Sequence, residues 1–320
     1  MAMPKQLNGR IHIIDGMDLG LKERTGTYVI DEQELTIIDT SASPSVQHVK
    51  KGLKELGFSL DQVKYIIVTH VHLDHAGGAG LLLKDCPNAK IVVHPKGARH
   101  LADPSRLIAG ARMVYGEKFD ELFNPIIPVP EDRLLLKTEG GQLQISPACT
   151  LEFWDTPGHA NHHFGIYDPV SNGMFAGDTA GIRYEQLVED GIELFLPSTS
   201  PNQFDPVAMK RAIDRMLAQN LDAIYYGHYG MTEKPQSALH QVSDWLEVFL
   251  EEAKAALDSG DGPKELAARL KGRVKEHLRQ QHIADDHPVY KIIQLDMEVS
   301  SMGMMDFLAK NKSSENTATQ

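Results

Sequence analysis

The chain has 320 residues, of which 42% are hydrophobic and 24% charged, and its formal net charge is −12 at pH 7. This length and balance suit one large folded domain or two modest ones and exclude wholesale disorder. An acidic surface argues against a nucleic-acid backbone or an anionic membrane as the main ligand, because phosphate binding needs clustered Lys and Arg.

The first residues, MAMPKQLNGRIHIID, contain no apolar segment of signal-peptide length. No apolar stretch reaches the roughly 18 residues of a membrane span. Two isolated cysteines, Cys86 and Cys149, do not make a disulfide framework, so a reduced, cytoplasmic setting is expected. IHIID (11–15), TYVI (27–30) and LTIID (35–39) predict a strand meander. Ser43 and Pro44 predict an N-cap and first position of a helix whose inner face is Val46, Val49, Leu53 and Leu56. YIIVTH (65–70) and KIVVHP (90–95) are continuous apolar runs of the kind buried strands show in mixed α/β proteins.

Residues 100–130 read as an insertion, helical around Ala109–Phe123 and leaving through NPIIPVP. Strands resume at Arg133–Leu136, Gly141–Ile145, Thr150–Trp154, His163–Tyr167 and Met174–Ala176. A capped helix starts at Asp205–Pro206, with Val207, Ile213 and Leu217 expected inward, and AIYYG (223–227) predicts a last buried strand. From Pro235 the pattern becomes helical: Leu239, Val242, Leu246, Phe249, Leu250, Ala253 and Leu257, then Leu266, Leu270, Val274 and Leu278, then a third helix from about His287 to Leu308. The expected organisation is a catalytic domain over 1–234, a helical subdomain over 235–310 and a disordered polar tail over 311–320.

The segment Thr69–Gly78, THVHLDHAGG, carries the chemistry. Three histidines and an aspartate fall directly after an apolar strand. His70 and His72 are two apart and can point to one side, while Asp74 and His75 lie in the turn that opens the next helix. Imidazole and carboxylate donors suit zinc, iron or manganese. Ala76, Gly77 and Gly78 allow a tight backbone turn beside them. Three more donors follow strands in the same way: His159 in TPGH (156–159), Asp178 in AGDT (176–179) and His228 in GHYG (227–230).

This ordered set resembles the metallo-β-lactamase superfamily over roughly residues 10–232. The resemblance implies an αββα sandwich with two metals at one edge, here with a helical C-terminal subdomain like that of the glyoxalase II-like and lactonase-like branches. It implies His70, His72 and His159 on the first metal, Asp74, His75 and His228 on the second, and Asp178 bridging both. It also implies two divalent ions, zinc first, with iron or manganese as alternatives. Lactonase-like members place a tyrosine three residues after the bridging aspartate. That position here is Gly181, and Tyr184 is the nearest candidate.

The expected activity is hydrolysis of an ester-like bond, a lactone or thioester, in a small molecule. The nucleophile is a metal-bridging hydroxide, Asp74 takes its proton, and Tyr184 donates to the intermediate. Phosphodiester or phosphotriester cleavage on the same site is the alternative, followed by a non-hydrolytic di-iron redox protein. His163 reads as structural, and His162 as a surface residue or a neighbour of a ligand. His94 reads as structural, and Asp15, Asp39 or Asp155 could hold a metal-bound histidine. Met113, Tyr115, Tyr184 and Phe195 could line a pocket. The SMGMM run (301–305) could meet an apolar ligand or be the packed face of a helix. Apolar residues of the insertion could serve a homodimer.

Overall fold

The computed structural model describes residues 3–318. Its contacts divide the chain into two compact units. The first takes the chain up to Thr156, then His162–Gly177 and Asn220–Pro235. The second takes Pro157–Asn161, Asp178–Gln219 and the chain from Gln236 onward. Residues 178–219, which the sequence pattern assigns to the catalytic domain, thus group with the C-terminal helices.

The first unit contains two sheets. One has the order β1 (Lys5–Asn8), β2 (Ile11–Asp15), β3 (Gly26–Ile30), β4 (Leu35–Ile38), β5 (Val63–Ile67), β6 (Lys90–Val93) and β7 (Leu134–Leu136). β1 to β4 form an antiparallel meander, and β4 to β7 pair in parallel. The second sheet begins with β8 (Gln142–Ser146), β9 (Cys149–Asp155), β10 (Phe164–Asp168) and β11 (Gly173–Gly177). The chain then visits the second unit through the short pair β12 (Ile182–Arg183) and β13 (Phe195–Leu196). It returns with β14 (Ala223–Tyr226), parallel to β11, and β15 (Met231–Thr232).

Strand alternation builds the core. Ile11, Ile13, Tyr28 and Ile38 of the first sheet share one buried cluster with Leu151, Phe153, Phe164 and Phe175 of the second. The opposite face of the first sheet, through Val29, Ile37, Ile66 and Ile91, packs on the helices α1 (Val46–Glu55), α2 (Leu73–Ala76) and α3 (Ala79–Leu83). With both faces covered, the central strands are largely apolar, as the run YIIV is. Ser43 does not cap α1. It sits in a 3-10 turn that precedes the helix, and its hydroxyl donates to the Gly77 carbonyl at 2.7 Å.

The insertion folds as α4 (Pro95–Ala102), α5 (Ser105–Tyr115) and α6 (Phe119–Phe123). Phe119 and Phe123 anchor it, with Leu73, Leu107 and Tyr115 in the same cluster. Met113 is exposed.

The second unit contains α7 (Pro206–Ala218), α8 (Pro235–Ser259), α9 (Pro263–Gln280) and α10 (Val289–Ala318). Asp205 caps α7, accepting from the backbone of Val207 and Ala208. The inner face of α7 is Met209, Ile213 and Met216, spaced i, i+4, i+7, so Val207 falls outside it and is exposed. α8 and α9 bury most of the residues expected of them, among them Leu239, Phe249, Leu266 and Val274, while Leu250 and Leu257 are only half-buried. α10 continues to Ala318, into the segment expected to be a disordered tail, since a formed helix adds each further residue at little cost. Residues 319 and 320 lie outside the described residues. Met297, Gly303 and Met304 of α10 pack inward, so the SMGMM run is a packing face. None of the described helices is long and apolar enough to cross a membrane.

Candidate metal centre

In the first unit the donors hang on a corner made by the ends of β4 and β5. Asp39 follows β4 in the left-handed region, φ 56°, a conformation that Asp and Asn tolerate better than most residues. Its carboxylate accepts from the Thr69 backbone N–H at 2.8 Å, the Thr69 hydroxyl at 2.9 Å and His75 Nδ1 at 3.0 Å. The next residue, Thr40, donates its N–H to the His75 carbonyl at 2.7 Å. One short turn therefore fixes both ends of the THVHLDH segment.

These bonds also choose tautomers. A carboxylate can only accept, so His75 carries its proton on Nδ1 and presents Nε2. Thr69 gives its hydroxyl hydrogen to Asp39 and is left to accept from His70 Nδ1, 3.1 Å away, which turns His70 Nε2 outward. The His70 ring lies 4.6 Å from that of His72 and 4.3 Å from that of His75. His228 follows β14, and the turn after it is closed by Tyr226 N–H donating to the Gly230 carbonyl at 3.0 Å. Asp74 Oδ2 is 3.8 Å from His75 Nε2 and 3.9 Å from His228 Nε2. Asp74, His75 and His228 each place a ligand atom within 4.8 Å of the others. His70, His75 and His228 are buried, whereas His72 and Asp74 are partly exposed and mark the open side.

In the second unit His159 Nδ1 donates to the Ser198 carbonyl at 3.1 Å, which leaves Nε2 as the presented nitrogen. That Nε2 is 3.6 Å from Asp178 Oδ2, and the Ser198 hydroxyl donates to the same carboxylate oxygen at 3.0 Å. Both ligand candidates are buried.

The metallo-β-lactamase superfamily model matches residues 24–228, more than half of the chain. The chain belongs to the metallo-β-lactamase superfamily. Among relatives in this superfamily, the metallo-β-lactamase fold-containing protein ST1585 of Sulfurisphaera tokodaii is 25% identical over 225 residues, 69% of this chain and 78% of its own. A hydroxyacylglutathione hydrolase of Legionella pneumophila is 26% identical over 117 residues, 37% of this chain and 34% of its own. The crystal structure of ST1585, an archaeal superfamily protein from Sulfolobus tokodaii, covers 93% of this chain and 99% of its own with a TM-score of 0.63 at 20% identity. That of TTHA1429, a metallo-β-lactamase family protein from Thermus thermophilus, covers 96% and 95% with a TM-score of 0.68 at 19% identity. At such identities the two structures speak for the fold alone. It is the α/β metallo-β-lactamase fold with a C-terminal helical region. Membership of the superfamily and the His/Asp donor groups make the chain a metal-dependent hydrolase.

The remaining candidates sort by contact. Of the three aspartates at strand ends, Asp39 holds a proposed ligand. Asp15 instead accepts from the backbone of Met17 and Glu23 and shapes the loop after β2, and burial raises its carboxyl above the usual range. Asp155 lies 3.4 Å from His94 Nε2, and His94 Nδ1 accepts from Lys96 N–H at the start of α4. Burial lowers the His94 pKa. His163 Nδ1 is 2.8 Å from the Thr156 hydroxyl, and among the described residues it belongs to none of the donor groups gathered within 4.8 Å. His162 is buried rather than on the surface, because it packs edge-on to His72 with ring centroids 5.5 Å apart.

Tyr184 does not stand as a donor to an intermediate. It is buried, and its one hydroxyl hydrogen goes to Asp296 Oδ2 of α10 at 2.9 Å. A tyrosine at Gly181 is excluded as well. The backbone there has φ 87°, and a Cβ would meet the Leu196 carbonyl oxygen at 2.6 Å. Phe195 is buried in β13.

Sequence reasoning missed Ser198, Arg24 and Asp18. Arg24 is buried, paired with Asp18, and its Nη1 is 3.8 Å from Asp74 Oδ2. Burial raises the Asp18 pKa, and Arg24 opposes the shift. Two charges in a loop otherwise read as solvated, so the sequence DLGLKER carries no signal of a buried pair.

Proposed function

We propose that this metallo-β-lactamase superfamily chain binds two divalent metal ions and hydrolyses an ester-like bond, a lactone or thioester, in a small molecule. His70, His72 and His159 would hold one ion, Asp74, His75 and His228 the other, and Asp178 would bridge them. The observation that carries the reading is the gathering of Asp74, His75 and His228 ligand atoms within 4.8 Å, in a chain of this superfamily. The donor chemistry fits zinc, and equally iron or manganese, since it consists of imidazole nitrogens and carboxylate oxygens without a thiolate.

When bound, two such ions lower the pKa of water towards about 7 and polarise a carbonyl oxygen. The protein's own residues do the rest. Asp39, Thr69 and the Ser198 carbonyl keep the metal-facing nitrogens of His75, His70 and His159 free of protons. Asp74, on the open side, is the group to accept the proton of the attacking water. Arg24 Nη1, 3.8 Å from Asp74 Oδ2, places a positive charge beside that carboxylate. The partial match to a hydroxyacylglutathione hydrolase favours an acyl substrate, and the net charge of −12 disfavours a polyanionic one. Two buried thiols fit a reducing, cytoplasmic setting.

The test is a screen of the zinc-loaded protein against lactones, thioesters, phosphodiesters and phosphotriesters, with and without chelator. Chelator-sensitive turnover of a lactone or thioester is expected. Turnover confined to phosphoesters would overturn the bond class, and no metal-dependent turnover of any class would overturn the reading.

A further inference from the structure

Within the second unit, residues 198–204 run between the two proposed ligands and the last helix. On the ligand side, the Ser198 carbonyl accepts from His159 Nδ1 at 3.1 Å and the Ser198 hydroxyl donates to Asp178 Oδ2 at 3.0 Å. The Ser200 hydroxyl donates to the His159 carbonyl at 2.6 Å. On the helix side, the Thr199 hydroxyl donates to the Ser300 carbonyl at 2.8 Å. Lys310 Nζ donates to the Asn202 carbonyl at 3.0 Å, and the Phe204 and Phe307 rings meet edge-on at 5.9 Å. Gly303 lies where the two backbones touch. A Cβ there would be 2.2 Å from the Ser200 carbonyl oxygen and 2.7 Å from Thr199 Oγ1. Only the Thr199 hydroxyl shares the contact with the two backbones among the described residues, and Ser198, Thr199, Ser200, Ser300 and Ser301 are all buried.

We propose that α10 is a positioning element of the metal centre, acting through Ser198 and Ser200 on His159 and Asp178. The inference rests on the ligand assignment above. The residues that hydrogen-bond a ligand set its ring orientation, its tautomer and its carboxylate rotamer, and hence metal affinity. Here those residues form one strip of backbone whose other edge is fixed to a helix about a hundred positions later in the chain. Displacement of α10 by a fraction of an ångström is passed to both ligands together, because the same serine holds both.

The experiment measures binding of cobalt(II), as probe, to the full-length apo protein by titration and by its visible absorption. Three variants are compared with wild type: Gly303→Ala, Thr199→Val and Thr199→Ser. Gly303→Ala forces the backbones apart, Thr199→Val removes the hydroxyl without adding bulk, and Thr199→Ser keeps it. Gly303→Ala and Thr199→Val are expected to weaken one of the two ions roughly 10–100-fold and to change its absorption, with the other ion less affected. Thr199→Ser should bind as wild type does. Should Gly303→Ala fail to fold, the two Thr199 variants decide. Thr199→Val with a lowered melting temperature but wild-type affinities and absorption would overturn the proposal. Wild-type protein that binds no pair of ions would instead remove the metal-centre reading, and this proposal with it.

Discussion

Asp39→Asn tests how the His75 tautomer is set. The asparagine tolerates φ 56° and keeps the shape of the side chain, so strain is not the perturbation. Its oxygen can still accept from Thr69 N–H, which places the amide NH2 where Oδ2 faces His75 Nδ1 at 3.0 Å. An NH2 can only donate. It therefore requires a bare Nδ1, moves the imidazole proton to Nε2, and blocks the nitrogen meant for the metal. Exchange of charged for neutral hydrogen bonds costs about 1–3 kcal/mol of stability. Metal affinity should fall roughly 10–100-fold, equivalent to about 1.4–2.7 kcal/mol. Competition against a chromophoric chelator measures the affinity, and urea unfolding of the apo protein measures the stability. Asp39→Asn with both ions bound as tightly as in wild type would refute the tautomer argument.

Elemental analysis of protein prepared with adequate metal should give close to two ions per chain, and a ceiling of one under saturation would sink the dinuclear assignment. Asp178→Ala should lower activity by orders of magnitude, whereas His163→Ala should keep the metal content and lose only stability, since His163 bonds Thr156. Metal loss in His163→Ala but not in His159→Ala would reverse the ligand assignment. Arg24→Met strands the buried Asp18 carboxylate and should destabilise the fold by about 3–5 kcal/mol, read by denaturant midpoint. Burial pushes both thiols, Cys86 and Cys149, from 9.0 up to about 12. The unfolded chain then releases these protons first, so stability should be intact below about pH 9 and decline as pH rises from 9 towards 12. At pH 8 neither thiol should react with iodoacetamide until the protein is unfolded.

The candidate metal donors stand out in the sequence because their chemistry is local. Three histidines and an aspartate in THVHLDH have few structural uses, and each remaining donor follows an apolar strand. The inner strands β3 to β6 were legible for the same reason, as their apolar runs report burial on both faces, whereas the exposed edge strand β1 carries no such run. Asp39 was legible only as one of three aspartates at strand ends, since its choice depends on β4 and β5 being parallel neighbours. Ser198 was not legible at all: its carbonyl, not its side chain, holds His159, and any residue has a carbonyl. Tyr184 failed in the opposite way. Its place in the loop after Asp178 suggested an open hydroxyl, and Asp296, over a hundred residues later, takes the hydrogen. Residues 178–219 look like a continuation of the catalytic domain because helix and strand patterns there are ordinary, and only contacts assign them to the helical unit.

The interleaving of the two units governs how the molecule can be made. β11 pairs in parallel with β14, and between them the chain passes through β12, β13 and α7 of the other unit. Such a crossover delays the non-local pairing, because loop-closure entropy must be met before the ladder contributes. During synthesis the second sheet stays without its β14 and β15 edge until residues 223–232 emerge, and the second unit stays unfinished until α10 does. A ribosome-bound chain ending near residue 234 therefore holds residues 198–204 with no Ser300 to receive Thr199. Early release or proteolysis at that point would leave the second unit without α8, α9 and α10 and expose the apolar residues they cover to aggregation.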